Sequence, residues 1–208
     1  MSVWFTSDLH IGHVKVAEQR VPTGVQEHDA ILATMWDLRV GRDDVVWVLG
    51  DISSGTKSGQ LNALEWLRQR PGHKHLIAGN HDSVHPLHRD SHKWLPLYLD
   101  GTFESVQLAA KRRIPLVQGH VTAMLSHFPY TGDHQAVDRY PEWRLPDCGH
   151  YVLHGHTHST YPLSIGGPQW RYPMRINQIH VGVDTWGFRP VHLDEIVELV
   201  QTCEENPL

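Results

Sequence analysis

Residues 2–10 read Ser-Val-Trp-Phe-Thr-Ser-Asp-Leu-His, a short apolar run ending in two side chains that can bind a cation. Its branched and aromatic residues read as a strand buried in a sheet. The same order recurs at 45–51, Val-Val-Trp-Val-Leu-Gly-Asp, and again around 75–82, 122–127 and 151–158. In each case a predicted strand (2–7, 45–50, 75–78, 122–126, 151–154) runs straight into Asp, His, Asn or Gly. Helical patterns lie between the early strands. Ile31, Met35 and Leu38 recur at helical spacing within 26–40, and Leu61, Leu64 and Leu67 within 58–70, where Pro71-Gly72 stops the helix. Strand–helix alternation predicts an α/β fold with parallel pairing. From about Thr102 the strands come at closer spacing, which predicts added antiparallel hairpins. A last helix is expected over 194–204, with Asp194 as N-cap and Ile196, Val197, Leu199 and Val200 on one face. Residues 83–101 and 128–149 show no periodicity and read as loops, which at such length are functional or mobile.

The 208 residues suit a single domain, residues 1–208, and 40% hydrophobic content supplies an ordinary core. A formal charge of −5 excludes a globally basic nucleic-acid binder, so no stable nucleic-acid complex is expected. Cys148 and Cys203 form no CxxC pair, which fits a reducing compartment and argues against a thiolate zinc site. The opening residues carry no signal-peptide pattern, and no apolar run reaches the ~20 residues of a membrane span. A cytoplasmic location is therefore expected, with no membrane partner. Histidine is the outlier, 18 residues against 18 Lys and Arg together.

Five blocks stand at the strand ends: Asp8-Leu9-His10, Gly50-Asp51, Gly79-Asn80-His81-Asp82, Ser126-His127 and Gly155-His156-Thr157-His158. In an open α/β sheet the loops beyond the strand ends converge on one crevice. The two-residue spacings of Asp8/His10 and His156/His158 let both side chains face one way in extended chain. Glycines 50, 79 and 155 leave room for backbone to approach an ion. Imidazole, carboxylate and amide without thiolate suit two divalent ions, Mn first, with Fe, Zn or Ni as alternatives. Asp8, His10, Asp51, Asn80, His127, His156 and His158 are too many donors for one tetrahedral ion. They are about right for two ions ~3.5–4 Å apart that share a carboxylate. Such a pair turns bridging water into a hydroxide nucleophile and clamps phosphoryl oxygens during in-line attack.

In order and wording these blocks resemble the calcineurin-like metallophosphoesterases. The ending Val-Gly-Val-Asp-Thr-Trp-Gly-Phe-Arg-Pro-Val-His-Leu-Asp-Glu-Ile at 181–196 resembles the small bacterial and phage-encoded members. The resemblance implies that Asp8, His10 and His158 hold one metal and that Asn80, His127 and His156 hold the other. Asp51 would bridge them. His81 would be the general acid at the leaving group, and Asp82 would orient its imidazole. The implied fold is two packed β-sheets flanked by helices, a four-layer αββα sandwich. Protein phosphatases of the family carry Arg shortly after the second-block Asp and Glu after Asn-His. Here the chain has Asp51-Ile-Ser-Ser-Gly and Asn80-His81-Asp82 instead, and it lacks the accessory regions of the family's DNA-repair nucleases. The expected activity is hydrolysis of small phosphodiesters, such as 2′,3′- or 3′,5′-cyclic nucleotides. Phosphomonoesterase, nucleotide pyrophosphatase and silent metal-binding scaffold stand as alternatives.

Of the remaining histidines, His180 and others that lie in no ligand pattern read as surface or packing groups, and His13, His120 and His154, nearer the blocks, read as non-ligands because the two-ion site is already full. The eight tryptophans read as core and loop anchors, and Arg112-Arg113 as a solvated turn. Loop 128–149 follows His127 directly, so part of it should overhang the site. Arg139 and His134 are its candidate substrate contacts, with a plain surface loop as the alternative.

Overall fold

The computed structural model describes residues 1–166 and 175–206. In chain order the elements are β1 (Val3–Thr6), α1 (Val14–Arg20), α2 (Val25–Asp37), β2 (Val45–Val48), α3 (Lys57–Arg68), β3 (His73–Ile77), α4 (Ser91–Leu99) and β4 (Ser105–Gln107). They continue with β5 (Ala109–Pro115), β6 (His120–Ser126), β7 (Tyr151–His154), β8 (Leu163–Gly166), β9 (Arg175–His180), β10 (Val191–His192) and α5 (Leu193–Glu205). Two five-stranded sheets result, ordered β10-β1-β2-β3-β4 and β5-β6-β7-β9-β8. In the first sheet β1 to β4 pair in parallel and β10 closes the edge antiparallel. The second is mixed, with antiparallel β5/β6 and β8/β9 around parallel β6/β7 and β7/β9. Hairpins are thus only part of the second half.

Alternation along the strands sorts the core into two clusters. Val46, Val48 and Leu76 point toward the helices, where they meet Leu32, Trp36, Leu64, Leu67 and Tyr98. Phe5 and Ile77 point the other way and pack with Leu125, Tyr151, Leu153 and Ile179 of the second sheet and with Ile196 and Val200 of α5. A buried side chain of this kind contributes roughly 1.5–3 kcal/mol. Two sheets flanked by helices follow, which agrees with the α/β class read from the strands and with the two-sheet sandwich that the resemblance alone implied. No helix among the described residues is long and apolar enough to cross a membrane.

Several local expectations change. α2 buries His28, Leu32 and Trp36, whereas Leu38 is 74% exposed, so the face toward the sheet is one residue round from the expected one. Leu61 of α3 is likewise exposed, with Gln60 and Ala63 inward in its place. The N-cap of α5 is His192, not Asp194. Its ring accepts from Asp194 N while the Glu195 carboxylate takes the His192 N–H, a capping box. Residues 83–101 contain α4 despite its internal Pro96, because buried Tyr98 anchors it. α1 had no apolar period to announce it. Arg112 and Arg113 lie within β5, not in a turn.

Candidate metal centre

Backbone hydrogen bonds tie the strand-end loops together. Asp8 N donates to Gly50 O at 3.1 Å, His10 N to Asp51 O at 3.0 Å and Gly155 N to His127 O at 3.0 Å. The loops pack too closely for side chains where glycine stands. A Cβ at Gly79 would collide with Asp51 Oδ1 and His127 Nδ1, and one at Gly155 with Ser7 Oγ and Asp8 Oδ2. These glycines make room for ligand side chains and backbone of neighbouring loops. Seven non-glycine residues have positive φ among the described residues. Five of them are Asp8 (56°), His10 (48°), Asp51 (55°), His156 (69°) and His158 (50°). Left-handed backbone at non-glycine residues is uncommon and held only where surroundings enforce it. The strain is concentrated where the cation-binding side chains start.

The side chains converge in two groups whose ligand atoms lie within 4.8 Å of one another, Asp8/His10/His158 and Asp8/Asp51/His127. Asp51 Oδ2 stands between the two sets, 3.8 Å from His10 Nε2 and 3.5 Å from His127 Nε2. Asn80 Oδ1 lies 3.1 Å from His127 Nε2. His156 belongs to neither close group; its backbone N–H donates to both oxygens of Asp8 at 3.1 Å. His10 and His127 point Nδ1 at the carbonyls of Ser53 (3.2 Å) and Leu49 (2.8 Å). Because a carbonyl only accepts, each Nδ1 carries the proton and each Nε2 presents a lone pair. His158 Nδ1 lies 3.3 Å from Asp184 Oδ2 and 3.2 Å from Arg20 Nη2; burial pushes its pKa down, but Asp184 and Asp8 outweigh this and raise it. His10 Nε2 and His158 Nε2 face each other at 3.2 Å, close enough for one cation to take both. Burial and the neighbouring His158, Arg20, His81 and His13 push the His10 pKa well below its ordinary value, keeping that ring neutral. The donor set fits divalent metal.

Sequence reasoning missed the groups that hold these ligands. Asp133, in the loop after β6, accepts from His156 Nε2 at 2.8 Å, so Nδ1 is the ring nitrogen that His156 has left for a metal. Asp184 takes Arg20 Nε at 2.7 Å, and Arg20 Nη1 also donates to the Asp8 carbonyl at 2.9 Å. Burial pushes both carboxyl groups up. Hydrogen bonds from Arg139 and His156 to Asp133, and from His158 and Arg20 to Asp184, reverse this and hold both well below the usual carboxylate range. Asp184 sat within the 181–196 stretch, but nothing local marks it as a histidine's partner.

The other expected residues fall as follows. His81 is half-buried with its ring 5.3 Å from that of His10, and its ring nitrogens make no hydrogen bond among the described residues. Asp82 does not touch that ring. Its carboxylate accepts the backbone N–H groups of Asp51, Ile52 and Gly79 at 2.7–3.0 Å, knitting two ligand loops together. Burial and the nearby Asp51 push its pKa up to about 7. His134 stands beside the ligands, with Nδ1 3.3 Å from the His156 carbonyl. Arg139 is engaged by Asp133 through Nε at 3.2 Å and Nη2 at 3.0 Å, so its guanidinium is held inside the loop. His180, expected at the surface or in packing, is 2% exposed with Nε2 3.8 Å from Asp8 Oδ2.

The sequence profile of the calcineurin-like phosphoesterases matches residues 1–160, which contain all seven candidate ligands. The chain belongs to that family. The chain is 52% identical to the Gene 66 protein of Mycobacterium phage L5, over 99% of this chain and 97% of that protein. It is 50% identical to the Gene 66 protein of Mycobacterium phage D29, over 99% and 98%. A protein of unknown function, AQ665 from Aquifex aeolicus, has the same fold, with a TM-score of 0.64 at 21% identity over 95% of this chain and 98% of that one. Membership of this phosphoesterase family makes the chain a metal-binding hydrolase of phosphoric esters.

Proposed function

We propose that the chain is a phosphodiesterase acting on small diesters, cyclic nucleotides among them, with two bound divalent ions, manganese first. The observation that carries diester over monoester is the state of the arginines beside the cluster. Arg20 is paired with Asp184, and Arg139 and Arg144 with Asp133. A monoester dianion is gripped best by an uncommitted guanidinium fork. A diester monoanion asks less.

The ions, when bound, would supply an activated water and positive charge for the phosphoryl oxygens. Asp8, His10 and His158 would hold one, Asn80, His127 and His156 the other, and Asp51 would serve both. His81 would give its proton to the departing oxygen, a role suited by a half-buried ring that no neighbour has claimed. His134 stands at the edge of the site for the leaving group or its sugar. Arg139 shapes that edge through Asp133. The unpaired thiols Cys148 and Cys203 support a reducing, cytoplasmic setting.

The test is turnover of bis-p-nitrophenyl phosphate against p-nitrophenyl phosphate, then of a cyclic-nucleotide panel, with Mn²⁺ added or chelated. Faster metal-dependent cleavage of the diester is expected. A faster monoester reaction would move the assignment to phosphomonoesterase, and release of phosphate-linked products from nucleotides alone to pyrophosphatase. No metal-dependent release from any substrate would leave a silent scaffold.

A further inference from the structure

The outer face of the second sheet carries a second histidine cluster. Leu153 and Ile179 face the inter-sheet core, so their neighbours His154 and His180 face the other way. The two histidines are direct partners in the β7/β9 register and are 1% and 2% exposed. Both line a cavity of about 290 Å³ under the loops that follow β6 and β7, together with Thr157, Asp133, Gln178 and Tyr161.

Their tautomers can be read from their partners. His154 Nδ1 lies 2.8 Å from the Gly155 carbonyl, which only accepts, so that nitrogen carries the proton. His180 Nδ1 lies 2.8 Å from Thr185 Oγ1, whose own hydrogen goes to the Ser159 carbonyl at 2.7 Å, so it too is a donor. Both Nε2 atoms are therefore lone-pair acceptors. Neither has a hydrogen-bond partner among the described residues, and Thr157 Oγ1, on the same cavity wall, has none either. Buried polar atoms are rarely left this way, and three on one cavity point to a ligand. Neutral lone pairs repel an anion. Imidazoles whose other nitrogen is tied to a carbonyl or hydroxyl are arranged as metal-binding histidines are. The ring centroids are 5.4 Å apart, close to the 5.0 Å between His10 and His158 in the metal centre. Asp8 adds negative charge, its Oδ2 lying 3.8 Å from His180 Nε2.

We propose that this cavity is a separate mononuclear site for a borderline divalent cation such as Zn²⁺, held by His154 Nε2 and His180 Nε2 with Thr157 Oγ1 and water completing the set. Neither histidine belongs to the two ligand groups of the phosphoesterase centre. The site would brace the Gly155–His158 turn from behind.

The full chain would be equilibrated with Zn²⁺, freed of loose ions by gel filtration and measured by elemental analysis. Three equivalents are expected in the wild type, two in His154→Gln and in His154→Phe, and one in Asp51→Ala. Two equivalents in the wild type and in both His154 variants would overturn the proposal while leaving the two-ion reading intact. Crystals of the wild type measured at the zinc edge give a readout independent of any variant's folding. An anomalous peak about 2.0–2.1 Å from both Nε2 atoms is expected. Water alone at that position would overturn the assignment.

Discussion

The imidazoles of the metal centre are held in two different ways. His10 and His127 give their Nδ1 protons to main-chain carbonyls, those of Ser53 and Leu49. His156 and His158, from the Gly-His-Thr-His turn, are held by side-chain carboxylates, Asp133 and Asp184, which are themselves gripped by arginines. A carbonyl at a strand end comes with the fold and no substitution removes it. A carboxylate adds charge, raises the basicity of the ring it holds, and rests on one residue in a loop. The first pair is thus as firm as the sheets, and the second is the adjustable side of the centre.

The largest effect is expected where the two sides meet. Asp51→Ala takes away the carboxylate between His10 and His127 and leaves two cations without their shared counter-charge. Metal affinity of the two-ion centre and turnover should both fall by more than the about 100-fold that losing a ligand's partner costs. Wild-type metal content in that variant would remove Asp51 from the centre. His81→Ala should retain metal and slow diesters by about 10²–10⁴-fold, with a smaller loss for acidic leaving groups. An equal loss across leaving groups would make His81 a positioning residue.

Next come the carboxylates. Asp184→Asn and Asp133→Asn should each weaken metal binding by about 10–100-fold in a competition titration. Both also take a carboxylate charge from a buried arginine, Arg20 at 5% side-chain exposure and Arg144 at 6%. Lower Tm is expected in both. Ser53→Ala keeps the carbonyl that holds His10 and should bind metal as the wild type does. A loss as large as that of Asp184→Asn would erase the distinction between the two sides.

The smallest effect concerns the loop that carries Asp133. Buried His85 packs edge-on to Trp143 at 4.7 Å and Phe128 at 6.1 Å, joining that loop to the one after β3. Burial, then the neighbouring His127 and His88, push its pKa down to about 4. The folded chain resists a proton that the unfolded chain takes up near 6.5, so stability contributed here is present above about pH 6.5 and lost as pH falls toward 4. In metal-free protein, Tm should drop less steeply over that interval in His85→Phe than in the wild type. Identical slopes would discount His85.

Much of the centre was legible along the chain because its chemistry is local to strand ends. Apolar runs that stop at Asp8, Asp51, Asn80, His127 and His156 announce both the sheet and the crevice at its edge. Helix faces were less legible. Ile31, Met35 and Leu38 are as apolar as Leu32 and Trp36, and only the sheet beneath decides which set turns inward. The partners of the ligands could not be read at all. Asp184 lies 164 residues from Arg20, and Asp133 is 23 residues from His156 with a whole loop between them.

The opening Asp-Leu-His and its four companion blocks were determined by the sequence alone: an α/β frame, strand ends rich in ligands, and a family resemblance that the profile match bears out. Tertiary structure decided the rest. It selected which nitrogen of His10 and of His127 keeps its proton, turned the Asp82 carboxylate to the loop backbone, and brought His180 behind Asp8. The reason is physical: residue type and spacing set what a side chain can donate or accept, but which partner it meets depends on chain segments that only folding brings within 3 Å or so.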